Sequence, residues 1–181
     1  VRNATKKALQ TAKDAGAIIS FDPNLRFPLW ASSEDARAQT MYGLEYCDIL
    51  KISDNELIWL TGEEDYTDGV HWINDKFNIP LILVSMGKTG SRAYYHGKMT
   101  EVRAFIQPGT IETTGAGDTF CACILHYVLE HGLNKLLEDE IHEMLVFANA
   151  AASIITTRKG ALRVMPEVEE IQELMKSGKK S

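Results

Sequence analysis

Residues 112–118, Glu-Thr-Thr-Gly-Ala-Gly-Asp, run straight into the apolar stretch 119–128 and join two groups that phosphate chemistry needs. Small residues at the start of a helix leave backbone N–H groups uncovered. Those orphan amides and the positive end of the helix dipole both favour an anion. Asp118 stands at the rim, where a carboxylate can act as a base beside a phosphate. The same residues also fit a plainer role, an N-capping aspartate after a glycine turn. Taken alone, the segment leaves both open.

Three other loops carry hydrogen-bonding or permissive residues: Asp22-Pro-Asn-Leu-Arg26, Ser53-Asp-Asn-Glu56 and Ser85-Met-Gly-Lys-Thr-Gly90. Gly87 and Gly90 let backbone come close to a ligand. Arg26 could pair with a surface acid, but its place at the C-terminal end of a strand better suits contact with phosphate or substrate. Ser53-x-x-Glu56 has the form of a capping box, which accounts for both residues, although the same carboxylate can also organise metal-bound water. Gly87-Lys-Thr is not a P-loop, because position 82 is Ile and a strand follows. Gly115-Ala-Gly117 lacks the third glycine of a dinucleotide fingerprint, since position 120 is Phe.

The elements that must position these loops alternate. An apolar stripe (Ala4, Ala8, Leu9, Ala12) predicts a helix ending near Gly16, followed by a strand over 17–21. Ser32-Ser33-Glu34-Asp35 opens a second helix whose apolar face reads Ala38, Met41, Leu44. A strand over 48–52, a short helix from Ser53 to Gly62, a helix over 67–77 and a strand over 81–85 complete the alternation. That order implies a parallel sheet with ligands at the C-terminal ends of its strands. Residues 91–96 and 98–105 around Gly97 then read as a hairpin, followed by helices over 116–131, 138–156 and 166–175. No repeat or linker is visible, so the chain reads as one unit.

At 181 residues there is enough chain for a sizeable core, and 45% apolar with 24% charged content is ordinary for a globular protein. A net charge of -6 argues against a nucleic-acid partner. The basic group from Lys176 to Lys180 reads as a frayed tail. No apolar run reaches membrane-spanning length and no signal peptide is visible. Cys47, Cys121 and Cys123 show no disulfide logic, which points to a reducing cytoplasm. The five histidines show no metal-ligand spacing. The start at Val1-Arg2-Asn3 reads as a segment of a longer protein.

Together these residues resemble the fructokinases of the ribokinase-like sugar kinase family, over nearly all of the chain. Four segments carry the resemblance in order: Asp22-Pro-Asn-Leu-Arg26 with Phe27-Pro-Leu-Trp30; Lys51-Ile-Ser-Asp-Asn-Glu56 with Leu60-Thr-Gly62; Thr113-Thr-Gly-Ala-Gly-Asp118; and Phe147-Ala-Asn-Ala150 leading to Arg158-Lys-Gly-Ala161. The resemblance implies a three-layer α/β fold, a mostly parallel sheet with helices on both faces, of which residues 1–181 carry the C-terminal, nucleotide-binding part. It implies phosphorylation of a sugar hydroxyl by ATP with Mg²⁺, most directly D-fructose to fructose 6-phosphate. Asp118 would be the general base, and Gly115, Ala116 and Gly117, with the Asp118 N–H, the anion hole. Glu56 would hold Mg²⁺ through water. Lys51, Ser85, Gly87, Gly90 and Asn149 would contact the nucleotide, with Asn149 bordering adenine, and Asn24 and Arg26 the substrate or phosphate.

Three departures stand out. Position 112 is Glu where the family usually has Asp, beside a monovalent-cation loop that also involves the region of Gly160, so the change bears on K⁺ as a cofactor. Position 123 is Cys where Ala or Gly is usual, and Ser53 replaces a frequent Asn. In such kinases the first strands, most sugar contacts and the lid that pairs subunits into a homodimer lie N-terminal to this span. The span by itself is therefore expected to turn over sugar inefficiently and to present a sticky sheet edge. Ribose, adenosine or a keto-deoxy sugar acid remain alternative acceptors, and a non-catalytic nucleotide-binding module is the alternative class.

Overall fold

The computed structural model describes residues 2–178, which form two compact units, residues up to Val84 and residues from Ser85. The first contains α1 (Arg2–Asp14), β1 (Ser20–Phe21), α2 (Ser33–Leu44), β2 (Ile49–Ser53), α3 (Asp54–Thr61), α4 (Tyr66–Phe77) and β3 (Leu81–Ser85), whose last residue opens the second unit. β1 pairs in parallel with β2, Ser20 opposite Ile49, and β3 lies on the other side of β2. The apolar runs Ile49-Leu50 and Leu81-Ile-Leu-Val84 are buried along their whole length, as strands covered on both faces are. Leu44, Leu57, Leu60, Val70 and Ile73 supply the surrounding layer.

Two expectations for this unit need correction. The strand expected over 17–21 forms only at Ser20–Phe21. Asp48 explains the shortening: its Oδ2 accepts the Ile19 N–H at 2.8 Å, taking the place of a ladder partner. The buried face of α2 is Ala36, Thr40, Gly43 and Leu44, while Ala38 points outward. Gly43 decides the rotation, because a Cβ there would lie 2.7 Å from the Phe21 ring. No residue of α1 is buried, and its expected stripe reaches only half-burial at Leu9 and Ala12.

The second unit contains β4 (Gly90–Tyr95), β5 (Lys98–Arg103), α5 (Ala116–His131), α6 (Glu138–Ile155) and α7 (Val168–Ser177). β4 and β5 form the expected antiparallel hairpin, from Gly90 opposite Arg103 to Tyr95 opposite Lys98. Its turn is His96-Gly97, both with positive φ (48° and 77°), the tight connection whose twist matches the strands. α6 packs on α5 and on the hairpin through Met144, Leu145 and the small residues Ala148, Ala150 and Ala151. Lys176 lies in the last turn of α7, and residues 179–181 of the tail expected to fray lie outside the described residues.

The described residues include no helix long and apolar enough to cross a membrane. Burial pushes the Cys47 thiol up to about 12, with Asp48 adding to the shift, and the Cys123 thiol up to about 11.

Gly90 sits where the facing backbone of β5 leaves no room for a side chain. Its φ is 125°, and a Cβ would stand 2.1 Å from the Val102 carbonyl oxygen. Gly90→Ala should therefore cost about 3 kcal/mol or more, read as a drop in the urea-unfolding midpoint.

Candidate active site

In the first unit, the end of β2 and the start of α3 are built by one carboxylate. Glu56 Oε2 accepts from the Ser53 N–H at 2.9 Å and from its hydroxyl at 2.7 Å, while Ser53 Oγ caps the Glu56 N–H at 3.4 Å. Glu56 Oε1 reaches across to the Leu25 N–H at 2.7 Å. The capping box read from the sequence is present, and it also fastens the 22–26 loop to the helix.

That loop is otherwise self-supporting. Asp22 Oδ1 accepts the Asn24 N–H at 3.1 Å, and Asn24 takes a positive φ of 42°. Arg26 folds back on the loop, its Nη1 donating to Asn24 Oδ1 at 2.8 Å, Leu25 O at 3.0 Å and Asn24 O at 3.1 Å. Buried Lys51 on β2 pairs with Asp22 Oδ2 at 3.1 Å. Burial raises the Asp22 carboxyl above its ordinary value, against the lowering pull of the Lys51 charge. Just beyond, Phe27 packs edge-on against Trp59, ring centres 5.2 Å apart. Asn24, Arg26, Lys51 and Glu56, singled out separately in the sequence, line one cleft of about 260 Å³ with Ser53 and Asn55. The role of Asp22 as counter-charge to Lys51 was not legible, because strand spacing does not reveal which loop acid turns back over the strand.

In the second unit, the segment 112–118 forms a tight bend into α5. Gly115 takes a left-handed conformation, φ 79°, and a Cβ there would meet Ala161 Cβ at 3.1 Å. The Ala116 N–H closes the bend onto Thr113 O at 3.2 Å, and the Thr119 N–H bonds Gly115 O at 2.8 Å. The N–H groups of Gly117 and Asp118 have no partner among the described residues. With the Gly115 N–H, likewise without a partner among the described residues, the uncovered amides sit at 115, 117 and 118; Ala116, expected to offer its own, uses it within the bend. Asp118 itself is exposed. Thr119, directly behind it, is buried with its hydroxyl unpartnered among the described residues.

The remaining nucleotide candidates divide. Ser85 is half-buried at the end of β3, and Gly87, φ 54°, faces open space. Gly90 was read as a place where backbone meets ligand. The backbone it meets is that of β5, so its need for glycine is internal. Asn149 is buried on α6, with Nδ2 donating to Val102 O at 3.0 Å and Arg103 O at 3.3 Å, and Oδ1 accepting from Ser91 Oγ at 2.9 Å. Its amide is spent on tethering α6 to the hairpin, which leaves no N–H for the base it was expected to border.

Residues 1–168 match the pfkB family of carbohydrate kinases. The chain belongs to this family. It is 39% identical over 177 residues to the probable fructokinase-4 of Arabidopsis thaliana, covering 97% of this chain and 53% of the relative. Its fold is that of the fructokinase of Vibrio cholerae O395 solved with fructose, ADP and a calcium ion (TM-score 0.87, 29% identity, 96% of this chain and 56% of that one). A double-mutant form of the V. cholerae protein, with fructose, ADP and a potassium ion, gives a TM-score of 0.84 at 28% identity over 96% and 55%. This pfkB chain spans about half the length of these relatives. The sugar-kinase resemblance and the ribokinase-like fold read from the sequence are both borne out.

The Asp22–Lys51 pair makes a pH-dependent contribution of defined sign. A carboxyl raised by folding binds protons more tightly in the native state. Its share of the stability therefore falls as pH climbs from the ordinary value of 3.8 through the raised one. Side-chain NMR titration should find Asp22 above 3.8. Asp22→Asn should destabilise by roughly 3 kcal/mol at neutral pH, because Lys51 is left buried without its counter-charge.

Proposed function

We propose that this chain is the nucleotide-handling part of an ATP-dependent sugar kinase, with D-fructose the acceptor its relatives favour and fructose 6-phosphate the product. One observation carries the reading: two uncovered amides, of Gly117 and Asp118, lie in the same helical turn as an exposed carboxylate. Phosphoryl transfer asks for positioning and charge stabilisation more than covalent chemistry. The amides would hold the γ-phosphoryl oxygens as charge develops on them, and donors so placed commonly contribute about 10²–10³ in rate. Asp118 would accept the proton of the attacking hydroxyl late in the transfer.

The first unit's cleft suits the charged end of a nucleotide. Lys51 and Arg26 are its cations, Asn24 and Asn55 its neutral donors. Glu56 Oε2 is filled by Ser53, but Oε1 carries one hydrogen bond and retains a second acceptor site. The described residues contain no group of three or more His, Cys, Asp or Glu able to hold a metal. Glu56 would accordingly hold Mg²⁺ through water, and the ion would neutralise charge on the phosphates. Ser85 and Gly87 would run along the nucleotide.

Two measurements test this. Asp118→Asn should bind a magnesium–ATP analogue as the parent does, yet reduce fructose phosphorylation at least about 10³-fold in the longest gene product containing this span. Turnover equal to the parent would remove Asp118 from the mechanism. A panel of fructose, ribose, adenosine and a keto-deoxy sugar acid in the same protein should give the highest kcat/KM for fructose.

A further inference from the structure

Between α6 and α7 the chain forms a loop, residues 156–164, whose middle supports the bend at Gly115. A Cβ on Gly115 would meet Ala161 Cβ at 3.1 Å and Ile155 Cδ1 at 3.3 Å. The loop is secured at both ends. Thr156 O accepts the N–H groups of Ile111 at 2.8 Å and Glu112 at 3.2 Å, and Thr156 Oγ1 meets Thr110 Oγ1 at 3.3 Å. Further along, Arg158 Nη1 donates to Val164 O at 3.1 Å and the guanidinium pairs with Glu170. The middle has one polar tie to the 110–113 stretch among the described residues: the Gly160 N–H donates to Glu112 Oε1 at 2.8 Å.

We infer that Glu112 is a positioning residue, its carboxylate holding Gly160 and Ala161 against Gly115 and so setting where the amides of Gly117 and Asp118 point. The inference rests on the reading of that bend as the anion site. Side-chain length is decisive. Aspartate is one methylene shorter, so its oxygen would fall back by about 1 Å or more and lose the bond. Glutamine keeps both the reach and the acceptor, and gives up only the charge.

The usual conservative ranking is therefore reversed here, with Gln the mild replacement and Asp the damaging one.

The test uses the longest gene product containing this span and its Glu112→Gln, Glu112→Asp and Glu112→Ala variants. Amide exchange is followed at Gly160, and affinity is measured for magnesium with the β,γ-imido analogue of ATP. E112A and E112D should speed Gly160 exchange about tenfold or more and weaken the analogue about fivefold, with E112Q within about threefold of the parent on both. An E112D variant matching the parent, or unchanged exchange in E112A, would each overturn the inference. A parent protein that binds no analogue defeats the kinase reading instead. The amide chemical shifts of residues 115–118 then decide: moved by E112A and E112D but not by E112Q, they support the tie, and unmoved they overturn it.

Discussion

A helix cannot satisfy its own first amides, and at the start of α5 those of Gly115, Gly117 and Asp118 have no partner among the described residues. A side chain at the N-cap would ordinarily cover them. Here the N-cap is Gly115, which has no side chain to offer and adopts a conformation that other residues resist. Ala161 packs so near that even a methyl at 115 would crowd it. The bend is thus kept open by packing from below, which is how a fold can hold unsatisfied donors without collapsing onto them.

The first unit solves a different problem with a carboxylate. Glu56 gathers a helix start, a strand end and a loop through three hydrogen bonds, and the loop then carries Asn24 and Arg26 to the same cleft as Lys51. Capping and ligand-holding are often weighed as rivals for such a residue. In this geometry they are compatible: the cap saturates one oxygen and orients the other.

Features governed by local chain chemistry were legible in the sequence. The Ser53 cap, the Gly62 stop of α3, the His96-Gly97 turn and the glycine bend before α5 all depend on residues within a few positions of one another. What escaped depends on contacts distant in sequence. The rotation of α2 follows from Phe21 meeting Gly43, and the shortness of β1 from Asp48. Gly90 looked like a ligand-facing glycine because no pattern in 85–90 announces that β5 will press against it. Asn149 looked available because its three bonds run to Ser91, Val102 and Arg103, all more than forty positions away. For Asp118 the residue and its helix were both readable, but which amides stay uncovered depended on the Ala116–Thr113 closure.

The two thiols displaced by burial have a chemical consequence. Sulfur attacks electrophiles and peroxides as the thiolate, and at neutral pH a group titrating near 11 is ionised only on the order of one part in 10⁴. Cys123, five residues beyond Asp118 on α5, is therefore expected to react slowly with mild oxidants and alkylating reagents. Covalent chemistry aimed at this helix would need a stronger handle than its native sulfur.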